Sequence, residues 1–529
     1  MFCFVTFQTQ PPSLLASHIP NGQLSSTTTS VTNGTQSAVV SKSNEKFNAT
    51  LSLSTSSTSS SSVPTVGDTA KSQYLPPPVS QLKSVTRSIG QDERSKLSEA
   101  IPRFYFPVGK PVSNEIIRVQ TEKLNAAFEK IGNTATRQQI GEIAKDCLGF
   151  GRYWRIPLFQ KAALMAGLSA DKLEVISKDA FVTMWKKMVS QCYDNASRFI
   201  WLLQSSQTQP KPNVPNRQQP LYSLPQDFIP LMQDIVDNHP SLDFLRDAKE
   251  FHSRYIHTVI ARIFYAINRS WSGRVAVAEL RNSKFLDALQ RLDDEDVNRS
   301  MEFFSYEHFY VIYCKFWELD KDHDLLITRD ELSTHNNHAI SPRVIERIFS
   351  GAVTKGKCLK EGKMSYNEFV WFLISEEDKK HPTSIEYWFR CMDLDGDGYL
   401  TAFEMEYFYQ EQHTRLMQMS IEPLALSDLI CQLLDMVNPK IPGKITLGDL
   451  KNCRLSDVFF NTFINIYKYI DYEQKDPFSI VRDGDMEGPV TDWERFAAQE
   501  YMALVAEETS NDGGGGGQSN NGAAAGGTL

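Results

Sequence analysis

The sequence predicts a mostly α-helical protein, an elongated array of helix-loop-helix units between two disordered tails. Three observations support this fold class. Apolar residues recur at helical spacing from about residue 113 to 507, two acidic twelve-residue loops occupy 320–331 and 393–404, and both chain ends are low in complexity. A chain of 529 residues is also too long to fold around a single hydrophobic core, because single cores stop growing near ~250–300 residues.

Composition divides the chain into four parts. Residues 1–98 form a Ser/Thr-rich arm that cannot bury enough apolar surface to offset its ordering entropy, and 509–529 form a Gly-rich tail of the same character. Between them we expect an N-terminal helical domain over 99–300, with a polar insertion at about 204–219. A C-terminal domain over 301–508 carries both acidic loops.

Composition also excludes several classes of protein. The 55 basic and 64 acidic residues give a formal charge of −9, and no basic run is long, so a nucleic-acid partner is not indicated. No window has the ~20 apolar residues of a membrane span. The 8 cysteines form no C-x-x-C pair, which is typical of reduced thiols, and we expect a cytoplasmic location, with nuclear or cytoskeletal association left open.

Signatures of enzymes are absent from the sequence. It contains no phosphate-binding P-loop, no protein-kinase signature set, no G-x-S-x-G and no H-E-x-x-H. The histidine and aspartate motifs of a metallophosphatase are also missing, and the 10 histidines are scattered. We therefore expect no enzymatic activity.

The loop 393–404 has the sequence DLDGDGYLTAFE, which matches the EF-hand calcium loop at every position. Gly398 provides the positive φ that turns the chain around the ion. The helix before the loop has Thr383 and Glu386 at capping-box spacing. The expected calcium ligands are carboxylates and one backbone carbonyl: Asp393, Asp395, Asp397, Tyr399 and Glu404.

The loop 320–331 has the same ligand pattern with one departure. Its expected ligands are Asp320, Asp322, Asp324, Leu326 (through its carbonyl) and Glu331. Leu325 stands where glycine is usual, and a positive φ there costs a branched side chain roughly 1–2 kcal/mol, about a tenfold loss of affinity. We therefore expect two Ca²⁺ sites, of which the second is the more certain. His323 is expected to face away from the ion.

Three further loops keep the EF-hand skeleton but lack acids at their first and third positions. They cover 268–279, 357–368 and 438–449, and each retains the turn glycine, an apolar eighth position and a terminal acid. We call them silent loops and expect them to serve structure. EF-hands fold as pairs joined at position 8, so we expect 320–331 to pair with 357–368 and 393–404 with 438–449. The alternative pairs 357–368 with 393–404.

An aromatic segment precedes the helical region. Phe104, Tyr105 and Phe106 lie between Pro102 and Pro107, where helix is disfavoured. The segment either packs as a strand or arm on its own domain or is exposed as a hydrophobic anchor for a partner.

Six segments make the chain resemble the B″ (B-double-prime) regulatory subunits of protein phosphatase 2A over about 101–508. They are IPRFYFP (101–107), FHSRYI (251–256), RIFY (262–265), NRSWSG (268–273), FFSYEHFYVIYCKFWELD (303–320) and FVWFLISEED (369–378). The resemblance implies a non-catalytic subunit that joins a HEAT-repeat scaffold subunit to the catalytic subunit and helps choose phosphoprotein substrates. It further implies calcium at both acidic loops and a scaffold contact at 101–107.

A free-standing EF-hand calcium sensor that binds target helices is the alternative function. Such sensors use Met-rich grooves, whereas the 14 methionines here are dispersed. Copurification of phosphatase scaffold and catalytic subunits would separate the two hypotheses.

Overall fold

The computed structural model describes residues 109–204, 221–354, 362–475 and 490–512, and it confirms the mostly α-helical fold. The predictions for the N-terminal arm, for Phe104, Tyr105 and Phe106, and for almost all of the insertion lie outside these residues. So does most of the Gly-rich tail. No helix in the described ranges is long and apolar enough to cross a membrane.

Helices fill most of the described chain. The α-helices are α1 Asn114–Lys130, α2 Arg137–Ile143, α3 Arg155–Met165, α4 Lys178–Gln191, α5 Asn195–Leu203, α6 Pro225–Asn238, α7 Lys249–Ile267, α8 Val277–Arg281, α9 Phe285–Arg291, α10 Tyr306–Leu319, α11 Arg329–Ser333, α12 Pro342–Phe349, α13 Tyr366–Glu377, α14 Pro382–Met392, α15 Ala402–Gln418, α16 Leu426–Val437, α17 Leu447–Asn452, α18 Ser456–Ile464, α19 Ile466–Gln474 and α20 Asp492–Asp512. The short strands are β1 Thr134–Thr136, β2 Val175–Ser177, β3 Tyr222–Ser223, β4 Val275–Ala276, β5 Leu326–Ile327, β6 Met364–Ser365, β7 Tyr399–Leu400 and β8 Ile445–Thr446.

The strands form four antiparallel pairs, β1–β2, β3–β4, β5–β6 and β7–β8. In β5–β6 the eighth residue of each loop faces its counterpart, Ile327 against Met364, and in β7–β8 Leu400 faces Ile445. Each acidic loop is thus joined to a silent loop. The structure confirms the pairing of 320–331 with 357–368 and of 393–404 with 438–449, and the alternative pairing is wrong.

A capping box begins the helix after each of these loops. In the loop 320–331, the Thr328 hydroxyl accepts the backbone N–H of Glu331, and the Glu331 side chain accepts the N–H of Thr328. Ser365 and Glu368 make the same arrangement in a silent loop. Since this reciprocal bonding satisfies backbone donors at the helix start, silent loops have a reason to keep the terminal acid without any metal.

The capping box predicted for α14 is wrong. The helix begins at Pro382, and the side chain of His381 accepts the backbone N–H of Thr383 (3.2 Å). Thr383 is instead buried inside the first turn, where its hydroxyl donates to the Tyr265 carbonyl at 2.9 Å. The Thr383 hydroxyl is therefore used in a tertiary contact with α7 and does not cap the helix α14.

Two large hydrophobic clusters form most of the interior of the described residues, and a small third one contains Leu416, Ile466 and Tyr469. One large cluster runs from Leu124 to Phe309 and the other from Ala261 to Ala497. Helix α7 supplies both, because Phe264 packs in the first cluster and Tyr265 in the second. The proposed division near residue 300 stays a prediction.

The last helix, α20, packs against α10, the helix that leads into the loop 320–331. The indole N–H of Trp493 donates to Nδ1 of the buried His308 at 3.1 Å, and the Lys315 ammonium lies 3.0 Å from the Glu500 carboxylate. Helix α20 continues to Asp512, past the expected start of the tail at 509. Extending an existing helix is easier than nucleating one, which explains how polar residues join its end.

Candidate calcium sites

The loop 393–404 is held by hydrogen bonds between its own backbone and its first carboxylate. Helix α14 ends at Met392, and the amides of Gly396 and Gly398 then donate to Asp393 at 2.9 and 3.2 Å. Gly398 has φ +83°, the left-handed conformation expected at this position. The chain therefore curls around the Asp393 carboxylate.

Three carboxylates of this loop converge. Asp393, Asp395 and Asp397 can each present a ligand atom so that the three atoms lie within 4.8 Å of one another. The Asp397 amide donates to Asp395 (3.1 Å) and the Tyr399 amide to Asp397 (2.8 Å), which fixes these side chains along the turn. The geometry is that of an oxygen-lined cation site.

The side chain of Glu404 is buried at the start of α15, where the residue is 1% exposed. One oxygen accepts the amide of Thr401 at 2.9 Å and also its hydroxyl. Because that bonding sets the side-chain direction, Glu404 is oriented by the capping box rather than free to rotate.

The loop 320–331 has the same construction despite its leucine. The Leu325 amide donates to Asp320 at 3.1 Å, and Leu325 has φ +69°, so the expected positive φ at this position is confirmed. Ligand atoms of Asp320, Asp322 and Asp324 lie within 4.8 Å of one another. Oδ1 of Asp320 is buried and has no hydrogen-bond partner among the described residues, which is costly unless a ligand satisfies it.

Contacts among the described residues also position Glu331 and His323. Glu331 accepts the Thr328 amide at 2.8 Å with one oxygen and the Lys321 amide at 3.1 Å with the other. The His323 ring lies 4.9 Å from the ring of Trp317 and stands outside the acidic cluster, as expected.

The electrostatics of the two loops favour a cation. Burial raises the pKa of Asp320 and of Asp393, and the neighbouring carboxylates of each loop raise it further. Asp324 differs, because its ion pair with Lys363 lowers its pKa. A divalent cation would relieve the repulsion within both clusters.

The donor chemistry fits calcium. All side-chain donors are carboxylate oxygens, the ligands that hard Ca²⁺ prefers. Leu326 and Tyr399 occupy the seventh positions, at the starts of β5 and β7, where a backbone carbonyl is the usual ligand. The assignment of all ten residues as ligands stays a prediction, as does the role of the aromatic segment.

Three further EF-hand-like loops, around Ala135, Ile176 and Ser223, were not predicted from the sequence. Ala135 and Ile176 pair in β1–β2 as two eighth positions, and Ser223 pairs with Val275 of the silent loop 268–279. A signal was present in the capping box of Thr136 and Gln139, which follows the apolar Ala135 directly. Within the described residues, only the loops 320–331 and 393–404 bring three metal-ligating side chains together.

Family models match most of the helical region. A P2R3B EF-hand model matches residues 123–188, an EF-hand domain model 194–295 and an EF-hand domain pair 309–410. The last match spans the loop 320–331 and extends past the loop 393–404.

Several curated relatives are named as B″ regulatory subunits of serine/threonine-protein phosphatase 2A. The chain is 55% identical over 417 residues to the beta form of Homo sapiens, covering 78% of this chain and 69% of the relative. It is 49% identical over 414 residues to the delta form of Mus musculus, covering 77% and 80%. The alpha form of Homo sapiens is 51% identical over 445 residues, covering 83% of this chain but only 37% of that longer relative.

A solved structure of a PP2A PR70 holoenzyme is also similar, with 59% identity and a TM-score of 0.48, covering 53% of this chain and 99% of that chain. The relatives are named regulatory subunits, and the similarity to the beta and delta forms extends over more than two thirds of their length. The chain belongs to the B″ family of regulatory subunits of serine/threonine-protein phosphatase 2A.

Proposed function

We propose that this chain is a calcium-binding, non-catalytic subunit that joins the scaffold and catalytic subunits of protein phosphatase 2A and directs the choice of phosphoprotein substrates. The observation that carries this proposal is 55% identity over 417 residues to a named B″ regulatory subunit. The absence of catalytic signatures from the sequence supports the non-catalytic part.

The proposal includes two calcium sites. Asp320, Asp322, Asp324, Leu326 and Glu331 would hold one ion. Asp393, Asp395, Asp397, Tyr399 and Glu404 would hold the other. Two observations support this assignment: the carboxylates converge, and a buried oxygen of Asp320 has no hydrogen-bond partner among the residues that the structure describes. Calcium would tie the helices on either side of each loop together, because the first and last ligands belong to their ends.

The proposal also includes a cellular location and a contact with the scaffold subunit. The subunit would act in the cytoplasm, in keeping with its cysteine pattern. Phe104, Tyr105 and Phe106 would contact the scaffold subunit, since clustered aromatic side chains dominate the energies of many interfaces.

Copurification from cells tests the proposal. A tagged full-length chain should recover both scaffold and catalytic subunits in calcium, and the double variant E331Q/E404Q, with both sites removed, should recover them differently. Absence of both phosphatase subunits in calcium would contradict the proposal and favour a free-standing calcium sensor. Equal recovery with the double variant would retain the subunit role and remove calcium control.

A further inference from the structure

Each silent loop that pairs with an acidic loop presents a lysine to it. Lys363 and Lys444 both occupy the seventh position of their loops, directly after the turn glycines Gly362 and Gly443. Those glycines have φ +68° and +72°, so both adopt the left-handed conformation. The strands that follow, β6 and β8, pair with β5 and β7 in the same register.

The two lysines nevertheless engage different groups. The Lys363 ammonium forms an ion pair with the Asp324 carboxylate, and both side chains are about a third exposed (29% and 33%). The Lys444 ammonium instead lies over the ring of Tyr399, 4.7 Å from its centroid. One ammonium thus contacts a carboxylate of the expected calcium site, and the other contacts an aromatic ring.

The seventh residue of the acidic loop accounts for this difference. Tyr399 offers a ring that attracts a cation through its electron-rich face. Leu326, at the equivalent position, offers no such face, so the nearest favourable partner for Lys363 is a carboxylate of the site. Asp322 and Glu331 add to the negative field around that ammonium.

We propose that Lys363 is a tethered counter-ion that lowers the calcium affinity of the loop 320–331, so that the two loops fill at different calcium concentrations. The inference rests on the proposed calcium sites. A dication that binds Asp324 must displace the ammonium or share the carboxylate with it, and either choice weakens binding. The ion pair is partly exposed, so the effect is moderate and is screened by salt.

Calcium titration of the full-length chain tests this, with a competing chromophoric chelator and one loop silenced at a time. In an E404Q background, which isolates the loop 320–331, K363M should bind calcium about three- to tenfold more tightly than its parent in low salt. The gain should shrink in high salt, and K363R should behave like the parent.

K444M in an E331Q background is the matched control. It removes the equivalent lysine beside the loop 393–404, where the ammonium contacts a ring, and should change affinity less than about twofold. L326Y in the E404Q background adds the missing aromatic face without removing a charge. It should also raise affinity, because Lys363 gains an alternative partner.

Two outcomes would overturn the inference. Equal calcium affinity of K363M and its parent would remove the role of Lys363 while leaving the calcium sites in place. Absence of calcium binding in both, with helical circular dichroism unchanged, would remove the site at 320–331 together with the inference. If only K363M binds calcium measurably, the inference is supported in its strongest form.

Discussion

The substitution Glu404→Gln separates the two roles of the Glu404 carboxylate, which are calcium binding and capping of the helix α15. Glu404 is 1% exposed and accepts the Thr401 amide at 2.9 Å within the capping box that begins α15. Glutamine also serves at this position of a capping box, because its carbonyl oxygen can accept the same amide. The helix start should therefore survive, whereas the amide nitrogen cannot bind calcium.

The loss of affinity can be worked out from the expected coordination. A carboxylate whose unit negative charge lies ~2.4 Å from Ca²⁺ contributes about 3.5 kcal/mol even at the dielectric constant of water. That energy corresponds to about a 300-fold rise in Kd. Glutamine should largely retain the stabilisation that the capping box provides, so in the absence of calcium the variant should melt within about 3 °C of the parent.

Calorimetric titration of the full-length chain measures the calcium affinity and stoichiometry, and thermal melting in chelator measures the stability. The variant should bind one calcium ion fewer, and Glu331→Gln, at the same position of the other loop, should remove the other ion. Unchanged stoichiometry in Glu404→Gln would refute the ligand assignment. A fall of more than about 10 °C in the Tm measured in chelator would instead show that the carboxylate is mainly structural.

Three further predictions follow from other residues. Leu325→Gly should raise calcium affinity at 320–331 by up to about tenfold, because Leu325 holds φ +69°; calorimetry would contradict this if affinity stays the same or falls. Burial, and then Asp492, raise the pKa of Asp378 to about 6, so the folded protein binds this proton more tightly than the unfolded chain. Buried histidines of lowered pKa, such as His308, should destabilise the parent and the variant alike as the pH falls from 7 to 5. Relative to Asp378→Asn, the parent should therefore gain on the order of 1 kcal/mol of unfolding free energy over this range in urea unfolding, and an equal pH dependence of the two proteins would contradict the prediction. A Phe104→Ala/Phe106→Ala variant should lose scaffold affinity at saturating calcium with a modest drop in Tm; a large drop with normal affinity per folded molecule would contradict the anchor hypothesis.

The acidic loops and their partners could be predicted from the sequence because their determinants are local. Ligand identity, turn glycine and apolar eighth position all fall within twelve residues, and the 73 residues between the starts at 320 and 393 predict a further loop halfway between them. The spacing alone leaves both pairings open, and the strand register decides between them. The structure adds what spacing cannot show. Lys363 contacts the Asp324 carboxylate, whereas Lys444, at the same position of its own loop, lies over the ring of Tyr399.

The loops that were not predicted lack calcium ligands. They keep only the residues that the turn, the strand pairing and the helix start require. The loop that precedes α2 retains Asn133 at positive φ (64°), the apolar Ala135 and the capping pair of Thr136 and Gln139. These features satisfy the turn, the strand pairing and the helix start, and none of them requires an acid. A search by calcium ligands cannot find such a loop, whereas a search for an apolar residue followed by a capping box could.

Contacts between residues that are distant in the sequence cannot be predicted from local sequence patterns. His308 in α10 accepts hydrogen bonds at the same ring nitrogen from Arg262 of α7 (2.8 Å) and from Trp493 of α20 (3.1 Å). Two donors at Nδ1 require that atom to be unprotonated, and burial together with Arg262 lowers the pKa of His308 far below its ordinary value. The ring is therefore a neutral acceptor that joins three helices. Because α10 leads directly into the loop 320–331, any shift of α10 that accompanies calcium binding must carry α20 with it or break these bonds.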